Sequence, residues 1–144
     1  MIIYKSDREI AKLAEAGRIA GEILDAVCRI AAPGLTTGDL EAEACRLMAE
    51  LAVESAFKGY RGYPGFICAS VNEEIVHGIP GPRVLVEGDI VSLDVGIRHE
   101  GFIGDTARTV PIGEVDELKR RLLEVGERCL AAAIDTVDQR HRLG

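Results

Sequence analysis

The stretch that most restricts what this chain can fold into runs from Asp89 to Pro111. Two runs rich in Val, Ile, Leu and Thr flank a polar tip that ends in Gly101, a pattern that predicts two antiparallel strands joined by a short hairpin loop. Each strand carries one carboxylate, Asp94 on the first and Asp105 on the second. They stand at comparable distances from the tip, so the ladder is expected to bring them opposite or almost opposite one another. A directly opposed pair holds its Cβ atoms about 4.5–5.5 Å apart. Carboxylates that close repel, and strand interiors disfavour Asp. Either a cation bound through oxygen sits between them, with a divalent metal the economical choice, or one or both turn to solvent or cap turns beside Gly96 and Gly104.

Length bounds the rest. The 144 residues suit a single domain over 1–144. With 47% apolar and 28% charged residues, a globular chain rather than a disordered one is expected. A net charge of −7 argues against a general nucleic-acid binder, and the basic clusters Lys119-Arg120-Arg121 and Arg140-His141-Arg142 read as solvated faces or tails. The apolar runs are too short to span a bilayer, and the first residues lack the order of a signal peptide, so a cytoplasmic location with no membrane partner is expected. Cys28, Cys45, Cys68 and Cys129 are scattered without a CxxC pair. Three of them fall on predicted helices, where they are expected to be small buried apolar residues.

Ser6 and Glu9 form a capping box ahead of Ile10, Leu13, Gly17, Ala20, Leu24, Val27 and Ala31, which recur at helical spacing until Pro33-Gly34. Thr36 or Thr37 then caps a second helix with Leu40, Ala44, Leu47, Met48 and Leu51 on its apolar face. The segment from Phe57 to Gly65 is a glycine-rich loop holding Tyr60 and Tyr63, rings that either line a pocket or pack onto the sheet. A short strand is predicted over Phe66–Val71, a turn at Asn72-Glu73-Glu74, and a second short strand that ends near His77 before Gly78-Ile79-Pro80-Gly81. A histidine beside a turn is either a surface residue or a member of a site, and the two aspartates favour the site. A third helix is predicted from near Glu114, with Leu118, Leu122, Val125, Cys129 and Ala132 as its buried stripe. The order helix, helix, strands, helix gives an α+β fold with helices on one face of a largely antiparallel sheet. Val137 to Gly144 can also be laid over Ala31 to Gly38, a faint echo in which the third helix starts a second copy of the first half.

Four segments in order carry a resemblance. Phe57-Lys-Gly-Tyr60 with Gly62-Tyr63-Pro64, Val71-Asn72-Glu73 with His77-Gly78-Ile79-Pro80, Gly88-Asp89-Ile90-Val91 with Asp94-Val95, and Gly104-Asp105-Thr106 together resemble the N-terminal half of bacterial type I methionine aminopeptidase. The resemblance implies half of a pita-bread fold, two pseudo-symmetric αβ halves with a dinuclear site between them. It implies removal of the N-terminal Met of nascent polypeptides by water activated on two divalent ions (Co, Mn, Fe or Zn). Asp94 matches the first metal ligand and Asp105 the bridging one. His77 matches the histidine on the scissile amide, and Tyr60, Tyr63 and Cys68 match walls of the methionine pocket. Arg61 departs from the histidine common at that point. The family's remaining ligands, one His and two Glu, one of them the base, belong to the C-terminal half, and the sequence ends before them.

Two readings follow. In one the chain is a truncated or split aminopeptidase with weak metal binding and little activity alone. In the other it is a non-catalytic half-fold that pairs with itself or with a full-length relative. An exposed strand edge beside an apolar patch would then favour a homodimer or aggregation over a stable monomer.

Overall fold

The computed structural model describes residues 3–138. Helix α1 spans Asp7–Ile30 and opens on the predicted capping box, the Ser6 amide donating to Glu9 Oε2 at 2.8 Å while the Ser6 hydroxyl accepts from the Glu9 amide. Helix α2, Thr37–Glu50, opens on a second box in which Thr36, not Thr37, is the cap and Asp39 reciprocates. Strand β1 is the two-residue Glu54–Ser55, followed by a 3-10 turn at Tyr60–Gly62 and by β2, Cys68–Val71. The hairpin strands β3, Ile90–His99, and β4, Phe102–Pro111, come next, then α3, Glu117–Asp135.

β3 is the centre of the sheet. Along one edge it pairs with β1 and β2, along the other with β4, and every pairing is antiparallel. The hairpin turns through Glu100 and Gly101, both at positive φ as a two-residue primed turn requires. At its open end Asn72 and Asp89 tie the sheet together. The Asn72 side chain donates to Asp89 at 2.7 Å and accepts from the Ile90 amide at 3.1 Å, while Asp89 also accepts from the Val86 amide at 3.0 Å.

The period of two decides which face is core. Val91, Leu93, Val95 and Ile97 of β3 are fully buried under α1, with α2 packed against α1. Residues of even number, Ser92, Asp94, Gly96 and Arg98, point to the opposite face, which no helix among the described residues covers. α1 approaches β4 closely because the residues between them are small. A Cβ added at Gly104 would collide with the Ala16 carbonyl, so this glycine sets the helix-to-sheet distance.

Several expectations are corrected. The buried stripe of α1 is Ala16, Ile19, Ala20, Ile23, Leu24 and Val27, whereas Ile10 and Gly17 are exposed. No strand forms over Ile75–Pro80. That segment keeps one backbone bond to β2, from the Ala69 amide to the Gly78 carbonyl at 2.9 Å, and Ile75, Val76 and Ile79 lie exposed. α3 starts three residues late, capped by Asp116, and buries none of its residues. Its predicted core positions Leu118 and Leu122 are 79% and 59% exposed, because nothing in the described residues packs over that face. Cys129 is exposed with them, while Cys28 and Cys45 are half-buried and Cys68 is buried. Most of the echo of Ala31–Gly38, and the cluster Arg140-His141-Arg142, lie outside the described residues.

Candidate active site

On the uncovered face of the sheet, Asp94 and Asp105 point the same way but are not directly opposed. Asp94 pairs with Ala107 and Asp105 with Gly96, an offset of one two-residue step. Diagonal neighbours on one face stand about 7–8 Å apart at Cα, within reach for side chains that lean toward each other. Sharing a face is fixed by parity: counted from the turn, Asp94 lies six residues before Glu100 and Asp105 four after Gly101, both even steps.

The two carboxylates differ in setting. Asp105 is exposed, whereas Asp94 is half-buried and its Oδ1 atom is fully buried with no hydrogen-bond partner. Burial, and then the charge of Asp105, push the Asp94 carboxyl up to about 6, while nearby His77 tempers the rise. An orphaned carboxylate oxygen beside a second carboxylate is a strained arrangement that a cation relieves.

Around the pair lies a cleft of about 780 Å³. It brings together all six residues singled out from sequence: Tyr60, Tyr63, Cys68, His77, Asp94 and Asp105. β2 places Cys68 opposite Asp94. Burial, foremost, raises the Cys68 thiol above the ordinary range, the contact with Tyr63 offsets part of this, and the two aspartates add to the rise. Cys68 is therefore a neutral wall rather than a nucleophile. Tyr63 sits with its hydroxyl 3.0 Å from both the Ile67 and the Gly78 carbonyls, and burial raises its phenol well above the usual range. Tyr60 stands at the rim, 64% exposed, with the Arg61 guanidinium 5.5 Å from its ring centre.

Among the other lining residues, Phe57, Arg98 and Ile103 were not assigned to the site from the sequence. Arg98 and Ile103 carried a signal, since each shares strand parity with the aspartate of its own strand. Phe57 carried one only in retrospect. Its ring lies over Gly96, where a Cβ would collide with it, so the glycine between Asp94 and Arg98 makes room for a wall of the cleft.

The pair fits a divalent cation in charge and in donor type, hard oxygen ligands with one atom unsatisfied. In number it falls short: among the described residues no group of three His, Cys, Asp or Glu side chains is placed to hold a metal ion together.

A carboxylate pair and a histidine thus share one cleft floored by an antiparallel sheet. Residues 11–144 match the metallopeptidase family M24, and the chain belongs to that family. It is 42% identical over 143 residues to methionine aminopeptidase 1 of Bacillus subtilis, covering 99% of this chain and 58% of that protein. To the methionine aminopeptidase of Clostridium acetobutylicum it is 47% identical over 126 residues, 87% of this chain and 50% of the relative. The crystal structure of methionine aminopeptidase from Thermotoga maritima superposes with a TM-score of 0.93 at 42% identity, covering 96% of this chain and 56% of that one. The chain thus spans about half the length of the curated relatives it matches, and its fold is half of the pita-bread arrangement.

Proposed function

We propose that residues 1–144 form a single domain, the N-terminal half of a methionine aminopeptidase, and that its cleft receives the N-terminal Met of nascent polypeptides in the cytoplasm. The observation that carries this reading is the convergence of Asp94, Asp105, His77, Tyr60, Tyr63 and Cys68 on one cleft. Asp94 and Asp105 would hold divalent metal, two ions drawn from Co, Mn, Fe or Zn in a complete site. Such ions supply a water acidic enough to attack a peptide carbonyl at neutral pH.

The chain's own residues do the binding and orienting. Cys68 and Tyr63, neutral because burial raises both acids, offer an uncharged wall to an apolar thioether side chain. Tyr60 at the rim covers the entering residue. His77, which lines the same cleft, would hydrogen-bond the amide being cleaved. With one side of the coordination shell present, we expect weak metal binding and little or no turnover from these 144 residues alone.

Two measurements test this. Adding a Met-initiated tripeptide to isotope-labelled protein should perturb the resonances of Tyr63, Cys68 and His77, and an absence of any such perturbation would sink the substrate assignment. Titrating divalent metal while following cleavage of the same tripeptide should give little product. Robust turnover that Asp105→Asn abolishes would overturn the claim of an incomplete site.

The exposed apolar face of α3 favours a second reading, a non-catalytic half-fold that pairs with itself or with a full-length relative. Peptide binding in the cleft separates the two, since a pure pairing module has no need of it.

A further inference from the structure

We propose that Ser70 is a positioning residue that holds His77 in its cleft-lining backbone conformation, acting through the amide of Gly78. The proposal rests on the reading of His77 as the group that contacts substrate. His77 has φ +61°, a left-handed conformation that L residues rarely adopt. Histidine tolerates it better than most, yet such a conformation is strained and persists only where its surroundings enforce it. Its own segment does not: residues 75–79 form no strand, and Ile75, Val76 and Ile79 are exposed on either side.

The enforcement comes from Gly78. Its amide donates to Ser70 Oγ at 3.0 Å, and its carbonyl accepts from the Ala69 amide at 2.9 Å and from the Tyr63 hydroxyl at 3.0 Å. The Gly78 N–H belongs to the peptide plane that joins it to His77, so the bond to Ser70 sets the ψ angle of His77. The two carbonyl bonds set the following plane instead. Gly78 also lies flush on β2, where a Cβ would collide with the Ala69 carbonyl and crowd Ser70 Cα.

Among these anchors only Ser70 governs the plane next to His77 through a side chain. It is 3% exposed, and it shares the cleft-side face of β2 with Cys68, two residues from the position opposite Asp94. Ser70 does not line the cleft itself. It acts one bond removed from any substrate, by placing the imidazole.

The test is hydrogen exchange and histidine NMR on the full chain, wild type against Ser70→Ala and Ser70→Thr. Wild-type Gly78 amide should exchange slowly although it lies in an irregular segment. Ser70→Ala should speed that exchange about tenfold, the size expected from the loss of one buried hydrogen bond. It should also shift the His77 ring resonances while leaving those of His99, at the end of β3, in place, and Ser70→Thr should restore both signals. A wild-type Gly78 amide that exchanges as fast as an unprotected one overturns the proposal, whether or not the alanine variant folds. So does an alanine variant with unchanged Gly78 exchange and His77 signals, or a threonine variant that fails to restore them. A chain that did not bind Met-initiated peptide would leave all these signals as they are, so the functional reading and this one fail separately.

Discussion

Asp94 is the residue on which the site turns, and its chemistry makes a prediction that needs no substrate. Its folded carboxyl is raised to about 6 by burial and by Asp105, so the protonated form is favoured in the folded chain. The stability this provides is fully present below the unfolded carboxylate range and is lost as pH rises through the folded value. Metal-free protein should therefore lose stability between about pH 4 and pH 6. After discounting for partial solvation the loss is about 1–2 kcal/mol. Asp94→Asn should remove that pH dependence and raise the neutral-pH melting temperature, as thermal unfolding across the window will measure. The position of Asp94 on the uncovered face was legible from its parity with Asp105. The offset between them was not, because the count depends on Glu100 joining Gly101 in the turn, which only the backbone reveals.

At the scale of elements, the first capping box, the start of the second helix and the hairpin were readable because each is local: Ser6 with Glu9, a cap at Thr36 or Thr37, and a tip ending in Gly101 between β-rich runs. What failed were elements whose state depends on distant partners. The run Ile75-Val76-His77 has the composition of a strand but is pinned by Gly78 to β2 and turned by Pro80. α3 has an amphipathic period, yet a period states that a face is apolar and not what covers it. The contact of α1 with β4 yields a direct test. Gly104→Ala should place a methyl group against the Ala16 carbonyl and cost about 1–3 kcal/mol. Urea unfolding should show a lower midpoint with an unchanged slope. A neutral result would mean that α1 can lift from the sheet freely.

Among the described residues the sheet has one face covered by helices and one open face, and α3 is exposed along its length except at the partly buried Lys119 and Leu123. Leu118, Leu122, Leu130 and Ile134 of α3 are all exposed, and β4 pairs only with β3 among the described residues. Apolar surface of this kind beside a free strand edge recruits another chain. Light scattering is expected to report association that grows with concentration, and Leu118→Glu with Leu122→Glu should reduce it. A monodisperse monomer at high concentration would contradict this. No helix among the described residues is long and apolar enough to cross a membrane, so a membrane span does not account for the exposed stripe.

The central claim is that Asp94 and Asp105 together form one side of a divalent-metal site. Calorimetric titration of Mn²⁺ into the purified chain, repeated in buffers of different ionisation enthalpy, tests it most directly. The account predicts weak, saturable binding accompanied by proton release at pH 6, where Asp94 is part-protonated. The release should fade as pH rises well above that value, and both Asp94→Asn and Asp105→Asn should abolish binding. Binding that survives either substitution, or no saturable binding at any pH from 6 to 8 with intact folded protein, would contradict it.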